Sequence, residues 1–210
     1  MQTKNIFFVI GESGSGKDFI VDRVCEKYHM NKILSYTTRP KRPHESNTHT
    51  FISNDKFKAI KSDIVAYTLY NGNEYGTTQS QVDDKNNNFY IINPYGLDYF
   101  YNDYKGKRPY YIIYITAPEA TRKVRMYHRG DNKLNTAKRI ANDKIEFAGI
   151  SLDADIILQN EQGTDIDKLA DKIYKFIEIK EGIVCGWIIN GCIFYCGYHF
   201  HYGIFLPNHW

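Results

Sequence analysis

Residues Gly11 to Asp18 read Gly-Glu-Ser-Gly-Ser-Gly-Lys-Asp, and the chemistry open to that spacing is the capture of a polyphosphate. Glycines let the backbone curl without Cβ clashes, so successive N–H groups can turn inward onto one anion. Lys17 adds a point charge able to reach terminal phosphates, and a helix starting there adds its positive N-terminal end. A nucleoside triphosphate is the natural occupant. In G-x-x-x-x-G-K loops the next residue is usually Ser or Thr, whose hydroxyl holds Mg²⁺. The chain has Asp18 there, a hard oxygen ligand that also suits Mg²⁺ but sets a further negative charge beside the phosphates.

A second group of charged residues follows in Tyr36-Thr37-Thr38-Arg39-Pro40-Lys41-Arg42-Pro43. Two prolines exclude a helix, and the clustered cations are compatible with a phosphate-facing loop. Taken alone, a solvated basic turn would account for it better. Arg125, Arg129 and Arg139 form a third group around a Gly-Asp-Asn turn, and guanidinium forks are suited to phosphoryl oxygens.

The motifs need particular elements behind them. Ile6 to Ile10 is an apolar run that reads as a buried strand, and Phe19 to Tyr28 reads as a helix, so the glycine loop lies between strand and helix, where a phosphate cradle is built. Thr50 to Ser53 and Ile64 to Tyr70 read as short strands with a helix over Asp55 to Lys61. The turn Asn71-Gly72-Asn73 folds Val65–Tyr70 onto Glu74–Thr78 as a hairpin. Further strands are expected at Phe89–Asn93, Tyr110–Thr116 and Ala154–Leu158. Helices are expected from Leu97 after a Pro94-Tyr95-Gly96 turn, from Pro118 to about His128 with a stop at Arg129-Gly130, and over Asp165–Ile179. Strands alternating with helices predict an α/β fold with a parallel sheet.

The order and spacing of three motifs resemble the guanylate kinase family. Ser35, Thr37-Thr38-Arg39, Arg42, Glu45 and Asn47 follow its S-x-T-T-R-x-x-R-x-x-E-x-N pattern, Tyr75-Gly76-Thr77-Thr78 its tyrosine-glycine-hydroxyl element, and Gly11–Lys17 its phosphate loop. The resemblance spans roughly residues 1–179. It implies a P-loop NTPase-type parallel sheet flanked by helices, with a small, partly β monophosphate-binding insertion and a helical lid. The implied domain is 1–180, with core segments 1–34, 88–129 and 150–180, insertion 35–87 and lid 130–149. Residues 181–210 are an added tail.

The resemblance further implies phosphoryl transfer from ATP to GMP with Mg²⁺. Lys17, Arg129 and Arg139 would be catalytic. Gly11, Glu12, Ser13, Gly14, Ser15, Gly16, Lys17, Asp18 and Arg125 would bind ATP, with Asp18 toward the metal. Ser35, Arg39, Arg42, His49, Tyr75, Thr77 and Asn93 would bind the acceptor. The chain departs from the pattern at the base-reading positions. The glutamate that reads guanine falls on Ala66, with Glu74 the nearest carboxylate in sequence. Two aspartates fall on Ile91 and on Asn93, which retains an acceptor oxygen, and a phosphate-binding tyrosine falls on His49. These departures keep open a kinase of the same architecture for another monophosphate, or a non-catalytic binding module, although retention of the loop lysine favours the enzyme.

With 210 residues the chain holds one domain of ordinary size, and its net charge of +3 is too small to indicate nucleic acid. The partners expected are small nucleotides. No secretory pattern opens the chain and only Cys25 lies in its body, which suits a reducing cytoplasm. Residues 183–210 contain no Asp, Glu, Lys or Arg but three cysteines and many aromatics. They read as an apolar appendage. A weak membrane anchor and a zinc site from Cys192, Cys196, His199 and His201 are the alternatives, disfavoured by the polar residues within the run and by the close histidine spacing.

Overall fold

The computed structural model describes residues 1–41, 48–70, 72–149 and 153–183, together with strands 185–189 and 192–196. Arg42, Glu45 and Asn47 lie outside the described residues, as do His199 and His201 of the tail.

The central sheet is parallel, in the order β6-β1-β7-β8, formed by Phe89–Ile91, Ile6–Ile10, Tyr110–Thr116 and Ile156–Gln159. β1 is apolar at every position and wholly buried, because a central strand with both faces covered has no side for water. Its side chains alternate between two cores. Phe7 and Val9 join Ile20, Val24, Ile173 and Phe176 beneath α1 (Lys17–Tyr28) and α7 (Ile166–Lys180). Ile6, Phe8 and Ile10 meet Leu97 and Phe100 of α4 (Pro94–Asp103) on the other face. Packed between these layers, β1 delivers the chain into Gly11 at one fixed point.

A second four-stranded sheet has the order β3-β2-β5-β4, from Thr50–Phe51, Tyr36–Thr37, Asn73–Thr78 and Ile64–Tyr70. β4 and β5 pair antiparallel, and Gly72 in their turn has φ 73°. Helix α2 (Asn54–Ile60) starts at Ser53, whose side chain accepts the Lys56 amide. Helix α3 (Gln79–Asp83) escaped the sequence reading, although its signal was present: Thr78 and Gln81 form a reciprocal capping box. The remaining helices are α5 (Glu119–His128) and α6 (Lys133–Glu146), joined through Gly130 at φ 93°.

Two expectations shift in detail. Pro94-Tyr95-Gly96 is the first turn of α4 and not a separate turn, because the Asn93 side chain accepts the Gly96 amide and starts the helix there. In the tail, β9 (Cys185–Ile189) and β10 (Cys192–Cys196) pair as an antiparallel two-stranded sheet. No helix among the described residues is long and apolar enough to cross a membrane.

Candidate functional site

The glycine loop runs along one wall of a cleft of about 630 Å³. Gly14 and Gly16 adopt φ of 80° and 88°, which a side chain would resist, and both sit against neighbours. A Cβ on Gly14 would come 2.7 Å from the Arg122 carbonyl oxygen, and one on Gly16 2.5 Å from Asn160 Nδ2.

The outward side of the loop is held by donors. Arg122 Nη1 donates to the Ser13 carbonyl at 3.4 Å, Arg125 Nη1 to Gly14 at 3.3 Å and Ser15 at 3.1 Å, and Asn160 Nδ2 to Ser15 at 2.7 Å. In a trans peptide the carbonyl and the following N–H point to opposite sides. Anchoring the carbonyls of Ser13 and Ser15 therefore turns the amides of Gly14 and Gly16 the other way, and both glycines line the cleft. Burial among these contacts lowers the pKa of Arg125 below the usual arginine value.

Gly11, Ser13, Lys17 and Asp18 also line the cleft. Lys17 is 21% exposed at its side chain, with Nζ 4.0 Å from the Asp18 carboxylate, itself 64% exposed. Glu12 and Ser15 lie behind the loop: Ser15 is fully buried, and Glu12 sits against Tyr114, whose phenol burial and the Glu12 charge push up to about 12. Among the described residues no cluster of three or more His, Cys, Asp or Glu could enclose a metal ion. The arrangement instead suits an ion carried in on phosphate oxygens, since Mg²⁺ is usually held by one or two carboxylates plus phosphates and water.

The facing wall comes from the second sheet and β6. Ser35 Oγ lies 2.9 Å from His49 Nδ1, and the His49 ring meets Tyr75 edge-on at 5.4 Å. Arg39 lies over the Phe51 ring at 5.2 Å, and its backbone amide is held by Thr37 Oγ1. Ser35, Arg39, His49, Tyr75 and Asn93 all line the cleft. Thr77 does not line it. It is wholly buried beside Tyr90, whose phenol burial raises to about 12 while the Thr77 hydroxyl opposes the shift.

From above come α5 and α6. Arg129 grips Asp131 through Nε at 2.7 Å and Nη2 at 2.6 Å. Arg139 lies 4.0 Å from the same carboxylate and 5.8 Å from the Tyr70 ring centre. This contact bridges the hairpin and the α5–α6 unit across the cleft mouth.

Position along the sequence missed several lining residues, among them Thr68, Tyr70 and Asp143. Spacing could have found some of them. Thr68 and Tyr70 share a face of β4 with Ala66, two and four positions on, and Asp143 lies four residues after Arg139 on one face of α6. Ala66 itself is 1% exposed and packs in the core with Val65 and Leu97. Glu74 is engaged elsewhere: its Oε1 accepts Lys61 Nζ at 3.2 Å and the Tyr67 hydroxyl at 3.1 Å, away from the cleft. It does not replace the missing carboxylate.

The family model described as Guanylate kinase matches residues 3–180. The chain is 34% identical over 86 residues to the guanylate kinase of Pseudoalteromonas translucida, covering 39% of this chain and 42% of that protein. The chain thus spans less than half the length of that relative. Longer alignments join it to the guanylate kinases of Thermotoga maritima, 28% identical over 81% of this chain and 86% of the relative, and of Malacoplasma penetrans, 26% identical over 83% and 97%. Among solved structures, the guanylate kinase of Anaplasma phagocytophilum superposes with a TM-score of 0.59 at 20% identity, over 86% of this chain and 88% of that one. At that identity the likeness concerns the fold.

Proposed function

The chain belongs to the guanylate kinase family, and from that premise we propose that it transfers the γ-phosphoryl group of ATP to the phosphate of GMP, giving ADP and GDP. One observation carries the reading: the phosphate loop and the acceptor-type residues form opposite walls of a single cleft, with arginines at its mouth. In-line transfer requires two phosphates brought end to end with their charge neutralised, and little covalent chemistry from the protein.

Lys17 and the loop amides hold the β- and γ-phosphates, and Arg125 supports the loop from behind. Arg129 and Arg139 neutralise charge on the transferring group. Ser35, Arg39, His49 and Tyr75 hold the acceptor phosphate together with Arg42, while Asn93 lies at its base end and Thr77, buried behind the cleft wall, does not reach it. Asp18 would hold Mg²⁺ jointly with the nucleotide phosphates, and the ion would supply neutralisation of phosphate charge. The functional unit is residues 1–180, with 35–87 as acceptor insertion and 130–149 as lid, and we read it as a cytoplasmic enzyme.

A second reading, a kinase of this fold for another nucleoside monophosphate, is favoured by the burial of Ala66 and the engagement of Glu74 outside the cleft. Turnover of ATP with GMP, dGMP, AMP and the pyrimidine monophosphates separates the two. No transfer to any of them would sink both.

A further inference from the structure

One buried cluster is unused by that mechanism. Arg122 of α5 and Asp143 of α6 are 5% and 7% exposed, and Arg122 Nη1 donates to Asp143 Oδ2 at 2.8 Å. The pair closes around one residue of the phosphate loop. Asp143 Oδ2 accepts the Ser13 amide at 3.0 Å, Asp143 Oδ1 accepts the Ser13 hydroxyl at 3.2 Å, and Arg122 Nη1 reaches the Ser13 carbonyl at 3.4 Å. Every polar group of Ser13 is therefore bound by the pair.

Joining two helices does not require this arrangement. Burying two charges carries a desolvation penalty, and apolar side chains of like volume would hold α5 to α6 as well or better. A carboxylate lining a polyphosphate cleft is also electrostatically adverse unless neutralised on site, which Arg122 does. What the pair adds over an apolar contact is directional: an acceptor for the Ser13 amide and a donor for its carbonyl, fixing the two peptides that flank Ser13 in one orientation. Asp143 also lies one turn beyond Arg139, on the same face of α6.

We infer that the Arg122–Asp143 pair is a positioning device that sets the phosphate loop before nucleotide arrives and fixes α6, with Arg139, in register with that loop. The inference rests on the reading that the loop takes a triphosphate, but loop order can be measured without one. The test is the double variant Arg122→Met with Asp143→Leu, which removes both charges at similar volume. Three readouts apply: thermal unfolding, amide exchange of residues 11–16 in the absence of nucleotide, and separate KM values for ATP and GMP.

A folded variant is expected to show loop exchange faster by about tenfold or more with β1 unchanged, and a KM for ATP raised about tenfold with that for GMP unaltered, the effect of losing one to two hydrogen bonds. Unchanged loop exchange in the folded variant overturns the inference, as does an equal rise of both KM values. If the natural protein does not use ATP, the proposed function fails visibly, and loop exchange still decides the role of the pair. Should the double variant not fold, Asp143→Asn, which keeps the side-chain shape but removes its charge, is judged by the same outcomes.

Discussion

The Thr68 hydroxyl donates to Asn93 Oδ1 at 2.7 Å, and the same oxygen accepts the Gly96 amide at 3.0 Å. The acceptor oxygen that Asn93 retains in place of an aspartate is therefore consumed in capping α4 and tying it to β4. What Asn93 can still present to the cleft is its amide donor. The N1 and N2 hydrogens of guanine, the donors that set it apart from adenine, gain nothing from a donor opposite them.

Asn93→Asp should consequently sharpen selection for guanine. Aspartate caps a helix as well as asparagine and can keep both existing bonds, while its second oxygen becomes a cleft acceptor. One recovered bond is worth about 1–3 kcal/mol, so the ratio of kcat/KM for GMP over AMP should rise by roughly tenfold or more. An unchanged ratio would mean that position 93 does not face the base.

Ala66→Glu, the substitution that restores the family residue, should instead damage the fold. Ala66 is 1% exposed among apolar neighbours, and a carboxylate forced there loses its hydration, which raises its folded-state pKa above the unfolded value of about 4.3. Below that value both states bind the proton and the ionisation penalty vanishes. It grows as pH rises and levels off above the folded pKa. Unfolding midpoints at pH 5 and pH 8 should show the larger loss at pH 8, on the order of 2 kcal/mol or more. Native stability at both values would place the introduced carboxylate in solvent.

Lys17→Ala should remove transfer and spare the fold. The side chain is 21% exposed at the cleft and contributes to neither core. Losing one preorganised charge at a phosphoryl-transfer site costs about 3–4 kcal/mol of transition-state stabilisation, a fall in kcat of roughly a hundredfold to a thousandfold. Unaltered turnover would dispose of the phosphate-loop assignment.

The fold was legible where periodicity was strong. β1 announces itself as five apolar residues before a glycine loop, and α7 as an amphipathic run with Asp165 at its start. The loop itself was readable because its glycines are required by backbone geometry. What the sequence hid depended on contacts between distant segments. Arg122 and Asp143 each look like ordinary charges on a helix, and only the packing of α5 on α6 buries them against Ser13. Asn93 shows the same limit from the other side: its type was visible, but not which of its atoms the helix had already taken.

Asp18 occupies the position of a metal-ligating hydroxyl and is 64% exposed beside the cleft. If its carboxylate holds Mg²⁺ jointly with the nucleotide, Asp18→Ala should raise the Mg²⁺ concentration giving half-maximal activity by about tenfold, while Asp18→Ser should stay near the natural value. Equal Mg²⁺ dependence in the alanine variant and the natural protein would count against this role.

A chain ending at Ile183 should fold and keep its activity. The parallel sheet, both cores and the cleft are complete by then, and the Ile183 amide already closes α7 onto the Glu178 carbonyl at 2.8 Å. That shortened protein retains a single cysteine, Cys25, which gives an internal check on its packing. Burial is the main cause pushing the Cys25 thiol up to about 12, with Lys32 opposing it. The reactive species is the thiolate, so at pH 8 its fraction is about 10⁻⁴, against roughly a quarter for an exposed thiol near 8.5. Iodoacetamide should accordingly modify the folded truncation about a thousandfold more slowly than the same protein in denaturant. Rapid labelling of Cys25 under native conditions, or loss of solubility on truncation, would count against a core that is complete at Ile183.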